Sequence, residues 1–212
     1  HSHSQREIAG RIKYYLENYF GFEAFIAHDD IEPTRVWEDK ILEELAATDV
    51  VLALLTKEFK DSKFCDQEIG FAIALKKFII PIKIDLVPYG FLGKYQAMPY
   101  RVSSDEWHYW VDFCKVIITS IEQQEQFTNK TTDLIIKAFK DSAGFDIANR
   151  ISKLIENIPS LSALQVNEIF KAYANNIQVS GAFEAQYLMK ELVKKHRSSI
   201  DPKLLKEYED SL

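Results

Sequence analysis

Residues whose types could do chemistry crowd into three stretches. One reads His28-Asp29-Asp30-Ile31-Glu32-Pro33-Thr34-Arg35-Val36-Trp37, and a second reads Thr56-Lys57-Glu58-Phe59-Lys60-Asp61-Ser62-Lys63-Phe64-Cys65-Asp66-Gln67-Glu68. The third is the N-terminal stretch with Ser2 and His3. The familiar catalytic spacings are missing around them. Of the seven glycines none falls into G-x-G-x-x-G or G-x-x-x-x-G-K-[ST], and Gly90, Gly93 and Lys94 complete neither, which speaks against Rossmann-type dinucleotide binding and P-loop phosphate cradling. His1, His3, His28, His108 and His196 lack the H-E-x-x-H spacing, and no serine sits in a G-x-S-x-G elbow. No metal site is expected. Cys65 is a nucleophile by type, but the sequence puts no histidine beside it, so a small packed thiol is the expected state.

Such residues act only where elements hold them. Apolar periodicity predicts a helix over 6–20, with Ile8, Ile12, Tyr15 and Leu16 on one face, then a strand over 22–27, a helix over 36–47, a strand over 49–55, a helix over 64–77 and a strand over 78–84. This is a βα repeat. Val50-Val51-Leu52-Ala53-Leu54-Leu55 and Phe78-Ile79-Ile80-Pro81-Ile82-Lys83-Ile84 are apolar on both faces, as strands are when helices cover both sides of a parallel sheet. The expected fold class is therefore α/β, a doubly wound parallel sheet. Open sheets of that kind bind ligands at the C-terminal ends of their strands, which is where the runs at 22–27 and 49–55 lead into the two internal polar stretches. Pro81 cannot donate to a ladder and is expected near an edge or at a local break in pairing.

A connector with Pro88, Gly90, Gly93 and Pro99 leads to a helical pattern over 105–121. Residues 123–130 turn polar, and beyond them everything reads as helix: 131–142, 145–157, 162–175, 181–196 and 202–210. Two domains are expected, 1–122 and 131–212, the second small and all-α. Ile147, Ile151, Leu154, Ile155 and Ile158 form one apolar stripe, and Ile169, Phe170 and Tyr173 another, both read as core. Asp201-Pro202 reads as an N-cap followed by proline at the first helical position.

Composition narrows the function classes. The 212 residues are 47% hydrophobic, 13% aromatic and 27% charged, which excludes a disordered chain. The net charge is −6 and neither half is basic, so nucleic acid is not an expected partner. Two cysteines without metal-ligand spacing point to a reducing compartment, and the expected location is cytoplasmic. No apolar run is long enough for a membrane span. Asn129-Lys130-Thr131 matches the glycosylation sequon and, without an export signal, reads as accidental.

The segments "FIAHDDIEPTRVWEDKI", "VLALLTKEFKDSKFCDQEIGFAIA", "FIIPIKI" and "PYGFLGKYQA" occur in an order and spacing that resemble the Toll/interleukin-1 receptor (TIR) domain in its bacterial form. The resemblance covers about residues 1–120. It implies a flavodoxin-like fold whose first strand lies inside the sheet and ends in a Ser-His-containing turn. His1 to Ser4 resemble that turn, so the first strand is expected upstream of this sequence, trimmed from it. Many TIR domains cleave NAD+ at the nicotinamide-ribose bond with a glutamate in a pattern like S-x-W-x-x-x-E. Glu68 corresponds to that glutamate, and Phe64 stands where the pattern has tryptophan. On a helix the i, i+4 spacing puts ring and carboxylate on one face, the ring to stack on a flat base and the acid to reach the ribose. The alternative for Glu68 is a solvated acid in the first turn of a helix, favoured there by the dipole.

The resemblance further implies substrate contacts from Phe64, Trp37, Asp30 and His3, with His28 beside Asp30. Trp37 reads equally as core support, and loop aspartates commonly cap helices or face solvent. Thr34 stands where the loop often has glycine, suggesting a stiffer loop. NAD+ is the implied substrate, and no cofactor is implied. Head-to-tail self-association and an oligomer are implied by the same resemblance, as is a role in bacterial antiphage defence. A non-catalytic scaffold acting by homotypic contact is the alternative. The stretch "NEIFKAYANNIQVSGAFEAQYLMKELVKK" resembles regions found beside some bacterial TIR domains, and its partner is unknown.

Overall fold

The two uniformly apolar runs do lie side by side. In the computed structural model, which describes residues 5–26, 37–101 and 106–211, the chain runs through α1 (Arg6–Phe20), α2 (Trp37–Ala47), β1 (Val50–Leu55), α3 (Lys57–Asp61), α4 (Lys63–Ala74), β2 (Phe78–Lys83) and β3 (Met98–Pro99). Next come α5 (Glu106–Glu122), α6 (Thr128–Lys140), α7 (Phe145–Glu156), α8 (Ala163–Asn175), α9 (Ile177–Ser180), α10 (Phe183–His196) and α11 (Pro202–Glu209). The described sheet is parallel, in the order β1-β2-β3. Val50 stands opposite Phe78 and Leu55 opposite Lys83, while β3 pairs with β2 at Ile82 and Lys83 alone. Parallel strands need a crossover between them, and α3 with α4 supplies it.

The α/β class stands, with a helical part after it, and four local expectations are corrected or made specific. Residues 22–26 form no strand, and residue 27 lies outside the described residues. An apolar run predicts burial, which Ile26 has, whereas a strand also needs a partner in register, and none of β1 to β3 pairs with this segment. Pro81 is not at the edge of the described sheet. It sits in the middle strand opposite Ala53, and the ladder to β3 begins one residue beyond it, which is the break in pairing its missing N–H requires. The connector after β2 contains the short strand β3. Residues 57–61, read as part of a polar stretch, form a helix too short for periodicity to reveal.

By packing, the chain divides into two compact units, one of His1–Tyr15 with Glu23–Phe113 and the other of Leu16–Phe22 with Cys114–Leu212. In the first, Ala53, Leu55, Phe59, Cys65, Ile69, Ala72, Ile79 and Leu92 form a buried cluster between sheet and helices. A second knot is aromatic: Trp110 stacks on Tyr15 at 6.4 Å and meets Phe113 edge-on at 5.9 Å.

In the second unit α10 packs on α7, and α8 on both α6 and α11. Both expected stripes are core, Ile151, Ile155 and Ile169 being fully buried. Ser162 and Gln165 close a reciprocal cap at the start of α8, satisfying two amides that a helix start otherwise leaves unpaired. Among the described residues no helix is long and apolar enough to cross a membrane.

Candidate functional site

The polar stretch after β1 is built from two helix starts in succession. Thr56, fully buried, accepts from the Phe59 amide at 3.0 Å and caps α3. Ser62 ends α3, and its hydroxyl accepts from the Cys65 amide at 3.3 Å, so one residue stops the first helix and caps the second. The Ser-x-x-Cys and Thr-x-x-Phe spacings suffice because a cap oxygen reaches the third helical amide. The end of β2 is tied to the same corner. The Lys57 amide donates to Asp85 Oδ1 at 3.0 Å, and the Leu55 carbonyl accepts from the amides of Ile84, Asp85 and Leu86.

Helix α4 then presents its faces in order. Cys65, Ile69 and Ala72 point into the buried cluster. Phe64 and Glu68 lie on the adjoining face, one turn apart. Phe64 is 47% exposed, enough ring surface to take a flat ligand. Glu68 is half-buried, and burial pushes its carboxyl above the ordinary value of 4.5. Among the described residues no hydrogen bond or ion pair engages that carboxylate. Helix α2 packs on α4, and Trp37, its first residue, meets Phe64 edge-on with ring centroids 5.5 Å apart and planes at 76°.

Three of the residues singled out from sequence thus lie in one neighbourhood, Trp37 against Phe64 and Phe64 one turn from Glu68. Asp30 and His3, with His28, lie outside the described residues. Cys65 is buried, and desolvation raises its thiol against the lowering effect of the Ser62 hydrogen bond, so the packed-thiol reading describes it. Cys114 is buried as well, its thiol pushed up to about 12. Among the described residues no cluster of three or more His, Cys, Asp or Glu side chains could hold a metal ion.

Sequence reasoning missed the other side of α4. Tyr89, in the loop after β2, donates its O–H to Asp66 Oδ1 at 2.7 Å, and Lys60 Nζ stands 5.7 Å from the Tyr89 ring centroid. The two bonded residues are 23 apart, and no spacing rule joins them. The one available signal was that both come after the C-terminal ends of neighbouring strands.

This arrangement supplies a half-buried carboxylate beside an aromatic ring at the mouth of a parallel sheet. Such a group stabilises positive charge developing on a ligand held against the ring. Comparison with known proteins gives a family and no individual relative. A protein-family model, that of the TIR domain, matches residues 1–127. No curated protein and no solved structure matches the chain. With more than half of its length matched in this way, the chain belongs to the TIR domain family.

Proposed function

We propose that the chain is an NAD+ glycohydrolase or cyclase of bacterial type that cleaves the nicotinamide-ribose bond with Glu68, and that it serves defence or signalling by consuming NAD+. The single observation that supports this reading is the half-buried Glu68 carboxylate, held on the Phe64 face of α4 beside Trp37. The C–N bond breaks with its electron pair going to the pyridinium nitrogen, so nicotinamide leaves neutral and no general acid is needed. Positive charge then builds on the ribose as in an oxocarbenium ion, and Glu68 stabilises it electrostatically. Water completes hydrolysis to ADP-ribose and releases a proton, whereas capture by the substrate's own adenine closes a ring. Phe64 and Trp37 hold the flat base, and Asp30 and His3 complete the substrate contacts. Residues 1–122 form the catalytic TIR domain in this reading, and 131–212 form a helical domain.

One observation favours a second reading. Phe64 has less ring area than the tryptophan of the family pattern and lacks its indole N–H, which suits a scaffold that works by homotypic contact. Nicotinamide release from NAD+, measured by chromatography for the full chain and for Glu68→Ala, separates the two. The expected result is release by the wild-type protein and a loss of at least about a hundredfold in the variant, the scale for removing an electrostatic stabiliser. Release at equal rates from both overturns the assignment of Glu68. Absence of release from both, at every protein concentration, leaves either the scaffold or an enzyme awaiting its trigger.

A further inference from the structure

Contacts of different kinds hold α4 along three directions. With 100° per residue and Phe64 as origin, Glu68 lies about 40° round the helix, the buried Cys65, Ile69 and Ala72 at roughly 80° to 140°, and Asp66 at about 200°. The buried face lies between the two flanks. On one flank Phe64 meets Trp37 at 5.5 Å. On the other Asp66 accepts the Tyr89 O–H at 2.7 Å. Tyr89 is itself anchored, since its ring packs on the buried cluster and its carbonyl accepts from the Leu92 amide at 2.9 Å. Burial and the facing Asp66 carboxylate push the Tyr89 phenol well above its ordinary value, so it remains a donor throughout the neutral range.

Apolar contact is non-directional, so the buried face holds α4 against the core without fixing its roll as sharply as a directional bond does. Hydrogen bonds fall off steeply with distance and angle. A roll of about 20° sweeps a group roughly 6 Å from the helix axis through about 2 Å, and misplacement by 1 Å is enough to slow a reaction by up to about a hundredfold. We infer that the Tyr89–Asp66 hydrogen bond is a positioning contact that sets the roll of α4, and through it the placement of Phe64 and Glu68. For what that placement accomplishes, the inference rests on the NAD+-cleaving reading above. Tyr89 touches no reacting atom in it and acts through the helix.

The test compares Tyr89→Phe, Asp66→Ala and Asp66→Asn with the wild-type full chain. Tyr89→Phe removes one O–H while keeping the ring and every charge. Asp66→Asn and Asp66→Ala remove the same charge, but the asparagine oxygen still accepts, so their difference reads the bond alone. The first readout needs no activity: the titration midpoint of Glu68, monitored by carboxylate NMR and assigned with Glu68→Gln. Tyr89→Phe is expected to shift that midpoint downward, toward the ordinary 4.5, and Asp66→Ala to shift it further than Asp66→Asn. The second readout is kinetic, with kcat/KM on NAD+ falling about tenfold in Tyr89→Phe and Asp66→Ala, and Asp66→Asn largely rescued.

A purely structural bond would lower the melting temperature and leave the Glu68 midpoint unmoved. An unshifted midpoint in Tyr89→Phe overturns the inference, as does equal behaviour of the two Asp66 variants. A shifted midpoint in a protein that releases no nicotinamide upholds the positioning contact and overturns the NAD+ reading alone.

Discussion

At Glu68, stability and activity pull in opposite directions. A carboxylate half-buried without a hydrogen bond among the described residues is disfavoured in its charged form, so folding raises its pKa above 4.5. The stability linked to Glu68 is therefore fully present below the ordinary value and is lost as pH rises through the raised one. Glu68→Gln should melt above the wild-type protein at pH 7, by about 1 kcal/mol for a group that keeps part of its hydration. The two melting curves should converge below about pH 4, where wild-type Glu68 is also neutral. Calorimetry across that range checks both statements. Activity has the reverse sign, because the proposed reaction uses the ionised form. Its acid limb should fall at a pH above 4.5, read from initial rates of nicotinamide release. Phe64→Trp enlarges the ring on the same face and should maintain or raise the rate, and a clear drop would argue that Phe64 does not hold the base.

At the scale of elements, starts and stops are chemical and the faces are hydrophobic. Asp201 accepts from the amides of Lys203 and Leu204 at 2.8 and 3.4 Å, with Pro202 opening α11. Its removal in Asp201→Ala should cost about 1 kcal/mol, seen as a lower denaturation midpoint. The proposed NAD+ cleavage should be unchanged, since α11 belongs to the second compact unit and the candidate site to the first. This cap was legible because its Asp-Pro signal is local. The helix α3 was not, since Thr56 and Ser62 bound five residues, too few for a stripe to repeat. The segment 22–26 was misread for the opposite reason: its apolar pattern is real, and the ladder that would make it a strand is a matter of neighbours.

For the whole molecule, the family match ends at residue 127, and the compact second unit takes in the chain from there to Leu212. TIR domains generally associate with one another, and an activity completed by such contact would depend on assembly. The turnover rate per protomer should therefore rise with protein concentration, by more than about twofold across the range in which sedimentation shows oligomers forming. A rate per protomer that is flat through that transition would mean that each active site is complete within one chain.

Periodicity and composition were enough for the α/β class, the parallel pairing of the runs at 50–55 and 78–83, and most helices, because each is set by which residues must leave water and how often they recur. The i, i+4 relation of Phe64 and Glu68 was legible on the same ground, as a property of one helix. The meeting of Trp37 with Phe64, the burial that raises the Glu68 carboxyl and the bond from Tyr89 to Asp66 were not. Each joins side chains from different segments, or depends on the solvent that other segments exclude. Such relations exist once the chain has closed its long loops, and no local spacing encodes them.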